Sequence, residues 1–127
     1  MNTSGFLEQI MGEKDKSVVE AIQDHLILLL NTRQGSVSHL PDYGLPDLSI
    51  VYSSFPKSVE FLQRSIKDTI EKYEPRLQNV RVQIQREEYT VFEVAFKISA
   101  EVNTEGKIAE IQFSTTISNT GRTNVEL

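Results

Sequence analysis

The chain has 127 residues, a formal net charge of -5, 39% hydrophobic and 24% charged residues, and no cysteine. That length fits one domain with a real core. The acidic balance argues against a nucleic-acid surface, which needs clustered Lys and Arg. The lack of cysteine excludes disulfides and thiolate chemistry and is compatible with a reducing compartment.

Met1 to Lys16 is polar, with Phe6, Leu7, Ile10 and Met11 at helix-like spacing. It reads as a flexible arm or a short helix, with Gly12 to Lys16 as a linker. No apolar stretch of signal-peptide length occurs there, and the longest apolar run, Leu26 to Leu30, is far too short to span a membrane. The expectation is a cytoplasmic protein with one domain over residues 17–127.

Ser17-Val18-Val19-Glu20 has the capping-box pattern, so a helix is expected to start at Ser17. Val18, Val19, Ile22, Leu26, Leu29 and Leu30 follow helical spacing. Ile27 and Leu28 add apolar surface on the other side, so the end of the helix needs cover on two sides, from the core or from a partner. Asn31 to Gly35 ends it, with Gly35 able to take the left-handed conformation. Residues 36 to about 54 read as a long irregular segment rich in turn residues, Pro41-Asp42-Tyr43-Gly44 and Leu45-Pro46-Asp47. Its Leu40, Tyr43, Leu45 and Leu48 imply that it packs down. Ser58 is placed to cap a second helix running to about Tyr73, with Val59, Leu62, Ile66, Ile70 and Tyr73 as its apolar stripe.

The rest alternates with period two. Val80, Val82 and Ile84 form one strand, Phe92 to Val102 a second, and Ala109 to Ile117 a third. The turns fall near Glu87-Glu88 and Asn103-Thr104-Glu105-Gly106. The tail from Ser118 is polar and reads as frayed. The fold expected is a two-layer α+β domain, two main helices on one face of a three-stranded antiparallel sheet.

No arrangement for chemistry emerges. His25, His39, Asp24 and Asp42 lack metal-ligand spacing, and there is no phosphate loop. Glycosidase chemistry needs two carboxylates about 5–10 Å apart across a sugar. Glu87 with Glu88, or Asp42 with Asp47, carries no such signature. The expectation is no catalytic residue, no metal, no cofactor and no enzyme activity.

Tyr73-Glu74-Pro75-Arg76-Leu77 stands at the hinge between helix and sheet. Proline has no N–H, fixes its own φ and pushes the residue before it out of the helical region. Glu74 is therefore expected to leave the helix, with an acid and a base flanking a rigid corner. From the residues alone the simpler reading is a helix terminator with two solvated charges. Docking is the other.

Leu28 to Gly35, Pro41 to Leu48 and Tyr73 to Leu77, in that order, resemble the TssE family. TssE is the small baseplate protein of type VI secretion systems, itself similar to the gene-product-twenty-five-like wedge proteins of contractile phage tails. The resemblance covers about Ser17 to Ile117. It implies an adaptor between the baseplate wedge and the first ring of the sheath, in the cytoplasm at a membrane-docked baseplate but without membrane insertion. The implied partners are the baseplate proteins TssF, TssG and TssK and the sheath proteins TssB and TssC, with no nucleic acid. The motif contact to the wedge falls on Glu74 and Arg76, with Pro75 as spacer. A phage or tailocin wedge protein, an anti-adaptor-like regulatory binder of the same fold, and a peptidoglycan hydrolase remain as alternatives. The resemblance also implies a sheet edge that accepts sheath strands. The third strand, with neutral Gln112, Ser114 and Thr116 in its second half, is the edge expected to lack a partner within the chain.

Overall fold

The computed structural model describes residues 13–85 and 93–127. Among these residues, three helices, α1 (Glu13–Leu30), α2 (Leu48–Ser53) and α3 (Val59–Tyr73), precede four strands, β1 (Leu77–Ile84), β2 (Glu93–Thr104), β3 (Lys107–Ser118) and β4 (Thr123–Glu126). The sheet is antiparallel throughout, in the order β1-β2-β3-β4. Helix α3 lies against β1 and α1 against β4, so both cover the same face. Val19, Ile22, Leu26, Leu62, Ile66, Ile70, Phe96, Ile98, Ile111 and Phe113 meet in one core between the layers.

The α+β architecture follows the periodicities, with several corrections. Helix α1 begins at Glu13, so Ser17 lies a turn inside it and residues 13–16 are helix rather than linker. Its apolar stripe from Val19 to Leu30 is buried and Val18 half-buried, but Ile27 and Leu28 on the other side remain 38% and 60% exposed. The segment after it is not irregular throughout. Asp47 accepts a bond from the Ser49 N–H (3.0 Å) and caps the short helix α2, which the turn-rich composition concealed. Leu45 and Val51 are buried, whereas Leu40 is not.

Helix α3 matches its expected span and stripe. Ser58 precedes it, yet its hydroxyl makes no cap and donates back to the Val51 carbonyl. The β2–β3 hairpin turns through Glu105 and Gly106, both at positive φ, as the Asn-Thr-Glu-Gly sequence implied. Phe92 and the Glu87-Glu88 turn lie outside the described residues.

The largest correction is the fourth strand. Thr123 to Glu126 pairs with the second half of β3, in the register Ser114↔Glu126, Thr115↔Val125, Thr116↔Asn124 and Ile117↔Thr123. The tail is therefore not frayed, and the β3 edge at Ser114 and Thr116 already has a partner in the chain. Gln112 lies just beyond the last of these pairs. Alternation explains the strand: Thr123 and Val125 are buried while Asn124 and Glu126 are exposed.

Candidate docking site

Helix α3 ends where Pro75 cannot continue it. The Glu74 N–H still reaches the Ile70 carbonyl (2.8 Å), but Glu74 has left the helical region at φ -127 and ψ 76. The chain then turns, with the Leu77 N–H returning to the Glu74 carbonyl (3.2 Å). This much agrees with the local reading of proline.

The side chains do not. Glu74 is 1% exposed. Its carboxylate accepts two bonds from Arg76, from Nε to Oε2 (3.0 Å) and from Nη2 to Oε1 (2.6 Å). His25 of α1 approaches Oε1 through Nδ1 at 3.2 Å. A carboxylate only accepts, so Nδ1 carries the ring proton there. In the neutral ring Nε2 then accepts from the Tyr43 hydroxyl (3.2 Å). The expectation of two solvated charges is thus corrected for Glu74, whose oxygens are turned inward because a charge buried at this depth must find partners.

Arg76 is different. Its side chain is 44% exposed, and Glu74 raises its already high pKa further. A guanidinium has five N–H donors. Two bind Glu74, and the rest of the fork stands at the surface beside exposed Pro75. Glu74 fixes the plane of that fork.

The long segment completes the corner. Tyr43 packs edge-to-face on Tyr73, with centroids 4.9 Å apart. Burial, and secondarily the Glu74 charge, push the Tyr43 hydroxyl pKa up. Asp42 accepts from the Tyr73 hydroxyl and from Lys72 Nζ. Those two bonds hold its carboxyl below the usual range. Asp42 and Lys72 are half exposed, so the pair stabilises little.

Gly44 sits at φ +103, where a Cβ would lie 2.1 Å from the Thr32 carbonyl oxygen, and its N–H reaches Thr69 Oγ1 (3.3 Å). The Leu45 N–H bonds Thr32 O (2.9 Å) and the Gln34 N–H bonds Leu45 O (2.8 Å). Only glycine lets the segment approach the end of α1 this closely. The three sequence motifs are therefore one structural unit.

Sequence reasoning missed His25 as a partner of Glu74 and Tyr43 as a partner of His25, because no spacing links residues 49 and 18 positions apart. His25 is not a plain surface residue but is bonded to Glu74 and Tyr43, and His39 is exposed in a turn. Asp47 is spent on capping α2. No trio of metal-binding side chains occurs among the described residues. Nor, among them, is any helix long and apolar enough to cross a membrane. A cleft of about 220 Å³ between the end of α1, residues 45–49 and the β3–β4 turn offers Arg33 and Asp47 as its charged lining residues.

The corner thus joins a buried carboxylate to a surface guanidinium through two hydrogen bonds. The sequence matches the model of the baseplate wedge protein gp25 family over residues 16–107, and the chain belongs to that family. A solved chain from the baseplate complex of the type VI secretion system is 25% identical with a TM-score of 0.65, the match covering 91% of this chain and 99% of that one. A chain described as a candidate tail lysozyme from Geobacter sulfurreducens is 18% identical with a TM-score of 0.56, covering 76% and 88% respectively, and shares the fold. No curated protein matches significantly.

Proposed function

We propose that this chain is a structural subunit of a type VI secretion baseplate, joining the wedge to the first ring of the contractile sheath in the cytoplasm. The observation that carries this reading is the end-to-end likeness to a chain of such a baseplate. Arg76 is the residue offered to a wedge protein such as TssF or TssG, with TssK nearby in the same assembly. Glu74 and Pro75 hold Arg76 in place and are not themselves contacts. Charge-assisted bonds of this type are worth about 1.5–3 kcal/mol each. The sheath proteins TssB and TssC are met through the sheet. Gln112, Ser114 and Thr116 contribute there only from the outer sheet face, or at Gln112 from the stretch of edge past β4.

The test is co-purification of the full chain with wedge and sheath proteins of its own system. Recovery of both classes is expected, and recovery of neither contradicts the adaptor role. A phage or tailocin baseplate is the second reading, supported by the family itself. Binding to tail-tube or phage wedge proteins in place of secretion components would favour it. Clearing of a peptidoglycan suspension by the purified chain would reopen the hydrolase reading.

A further inference from the structure

The two bonds between Arg76 and Glu74 close over two residues of chain. They fix acid and base relative to each other and leave both to be fixed relative to the fold. Packing confines the stem of Glu74, which is 1% exposed. The last torsion of a glutamate is broad, so the rotation of its carboxylate is set by the donors it accepts from. That rotation sets the plane of the guanidinium bonded to it. Among the described residues, one side chain from another element donates to this carboxylate, His25 of α1 (Nδ1 to Oε1, 3.2 Å). The bond joins residues 49 positions apart and ties the corner to the helix layer.

His25 is itself held at its second nitrogen. The Tyr43 hydroxyl stands 3.2 Å from Nε2. The bond made at one ring nitrogen selects which of the two carries the proton. A donor at Nε2 leaves the proton of the neutral ring on Nδ1, where Glu74 needs it. Tyr43 is aimed by its edge-to-face contact with Tyr73, at 67° between the ring planes. The close approach of Gly44 to the Thr32 carbonyl brings the 42–45 segment against the end of α1. Burial pushes the Tyr43 hydroxyl pKa up, so the group keeps the proton it donates. The His25 side chain is 25% exposed and the Glu74 side chain 2%, so the ring lies between the carboxylate and solvent. Tyr43, His25, Glu74 and Arg76 thus run in series from the 42–45 segment through α1 to the surface.

We propose that His25 is the positioning residue of the Arg76 contact. Its Nδ1–H, in the tautomer that Tyr43 selects, sets the rotation of the Glu74 carboxylate and so the direction of the guanidinium N–H groups that Glu74 does not take. This rests on the adaptor reading above and adds to it a residue outside the three sequence motifs. His25 does not touch the partner and acts through Glu74. The role requires a donor at the place of Nδ1, not a ring or a charge. Asparagine carries an amide N–H at that place on the side chain. Glutamine carries it one atom further out, near the place of Nε2.

The experiment measures the affinity of the full chain for wedge proteins of its own system in His25→Asn, His25→Gln and Tyr43→Phe, with Arg76→Ala beside them. Imidazole nitrogen NMR of the unsubstituted chain, with the ring neutral, reads the tautomer. The expected result is a ring protonated at Nδ1. Binding is expected to be about tenfold weaker in His25→Gln and within about threefold of the unsubstituted chain in His25→Asn. Tyr43→Phe should give a mixed tautomer and a smaller loss than His25→Gln. The ring spectrum needs no substitution, so it decides the matter even where a variant fails to fold. A neutral ring protonated at Nε2 overturns the proposal, and so does undiminished binding by His25→Gln. Equal losses in His25→Asn and His25→Gln make His25 a packing residue and overturn it too. Each of these results leaves the adaptor reading standing. Undiminished binding by Arg76→Ala, or no wedge binding by the unsubstituted chain, removes the reading of Arg76 and this inference with it.

Discussion

The corner around Glu74 and the edge of β1 handle polar groups in opposite ways. At the corner an acid that looks solvated in the sequence is closed off by Arg76, His25 and, through His25, Tyr43. Along β1, at the end of the strand order, the Val82 carbonyl takes a side-chain bond from Gln63, and no strand pairs on that side among the described residues. The difference teaches that charge in a sequence is a poor guide to contact. Glu74 is buried, whereas Pro75 and Arg76 of the same motif reach the surface. Strand β1 beside it, with Arg81 as its one charge, is the last strand of the sheet among the described residues.

The comparison breaks most visibly if the corner is forced apart. Gly44→Ala adds a Cβ into the Thr32 carbonyl at a positive φ. Backbone strain and overpacking together are expected to cost about 2–5 kcal/mol, measured by urea unfolding. A neutral result would mean that the segment does not bear on the end of α1.

Glu74→Gln comes next. It removes the charge that balances Arg76 and one bond of the bidentate pair. The expected loss is about 1–3 kcal/mol, below the cost of a fully buried broken pair because Arg76 keeps access to water. Arg76→Ala leaves the buried carboxylate with His25 alone and should lower the thermal midpoint by a similar amount.

Asn31→Ala sharpens the contrast between the edges. It deletes both bonds to Thr123 and should cost about 1–2 kcal/mol, with faster amide exchange across β4 and none of that change in β1. Equal loosening of both edges would show that the amide does not seal β4 specifically.

The smallest effects are in pH. Tyr52 donates to the Ile117 carbonyl (2.6 Å), and burial, helped by the Glu93 charge, pushes its hydroxyl up to about 12. A raised folded-state pKa means stability fully present below the ordinary value of 10 and lost as pH rises from there through about 12. Tyr52→Phe should flatten that alkaline slope. Asp42 has the opposite sign. Its pKa is lowered, so its contribution is present above the ordinary 3.8 and is lost as pH falls below that through the lowered value. Asp42→Asn should remove only this small acid-side slope in thermal melts.

Much of the architecture was legible because burial imposes period. The stripe Val59, Leu62, Ile66 and Ile70 and the alternation in β2 and β3 could face a core in only one way. Proline at 75 announced the end of α3 correctly. The fourth strand was missed although Thr123, Val125 and Leu127 alternate with Asn124 and Glu126 after a turn at Gly121. Four residues are too few for periodicity to outweigh polar composition, and the bonds from Asn31 and Gln23 that hold them are long-range. The same limit hid His25 and Tyr43. The corner was marked by its motifs, but which of its charges faces solvent depends on packing between α1, the 42–45 segment and α3.

The most direct measurement is a double-mutant cycle on Glu74 and Arg76, reading thermal stability and wedge-protein affinity for Glu74→Gln, Arg76→Ala and the pair. Both single changes are expected to lower stability, with the two losses less than additive in the pair. Arg76→Ala is expected nearly to abolish wedge binding, while Glu74→Gln should weaken it only in part, by loosening the guanidinium. If Glu74→Gln abolished wedge binding without lowering the melting temperature, Glu74 would be a contact residue, and an inward-facing strut at that position would be contradicted.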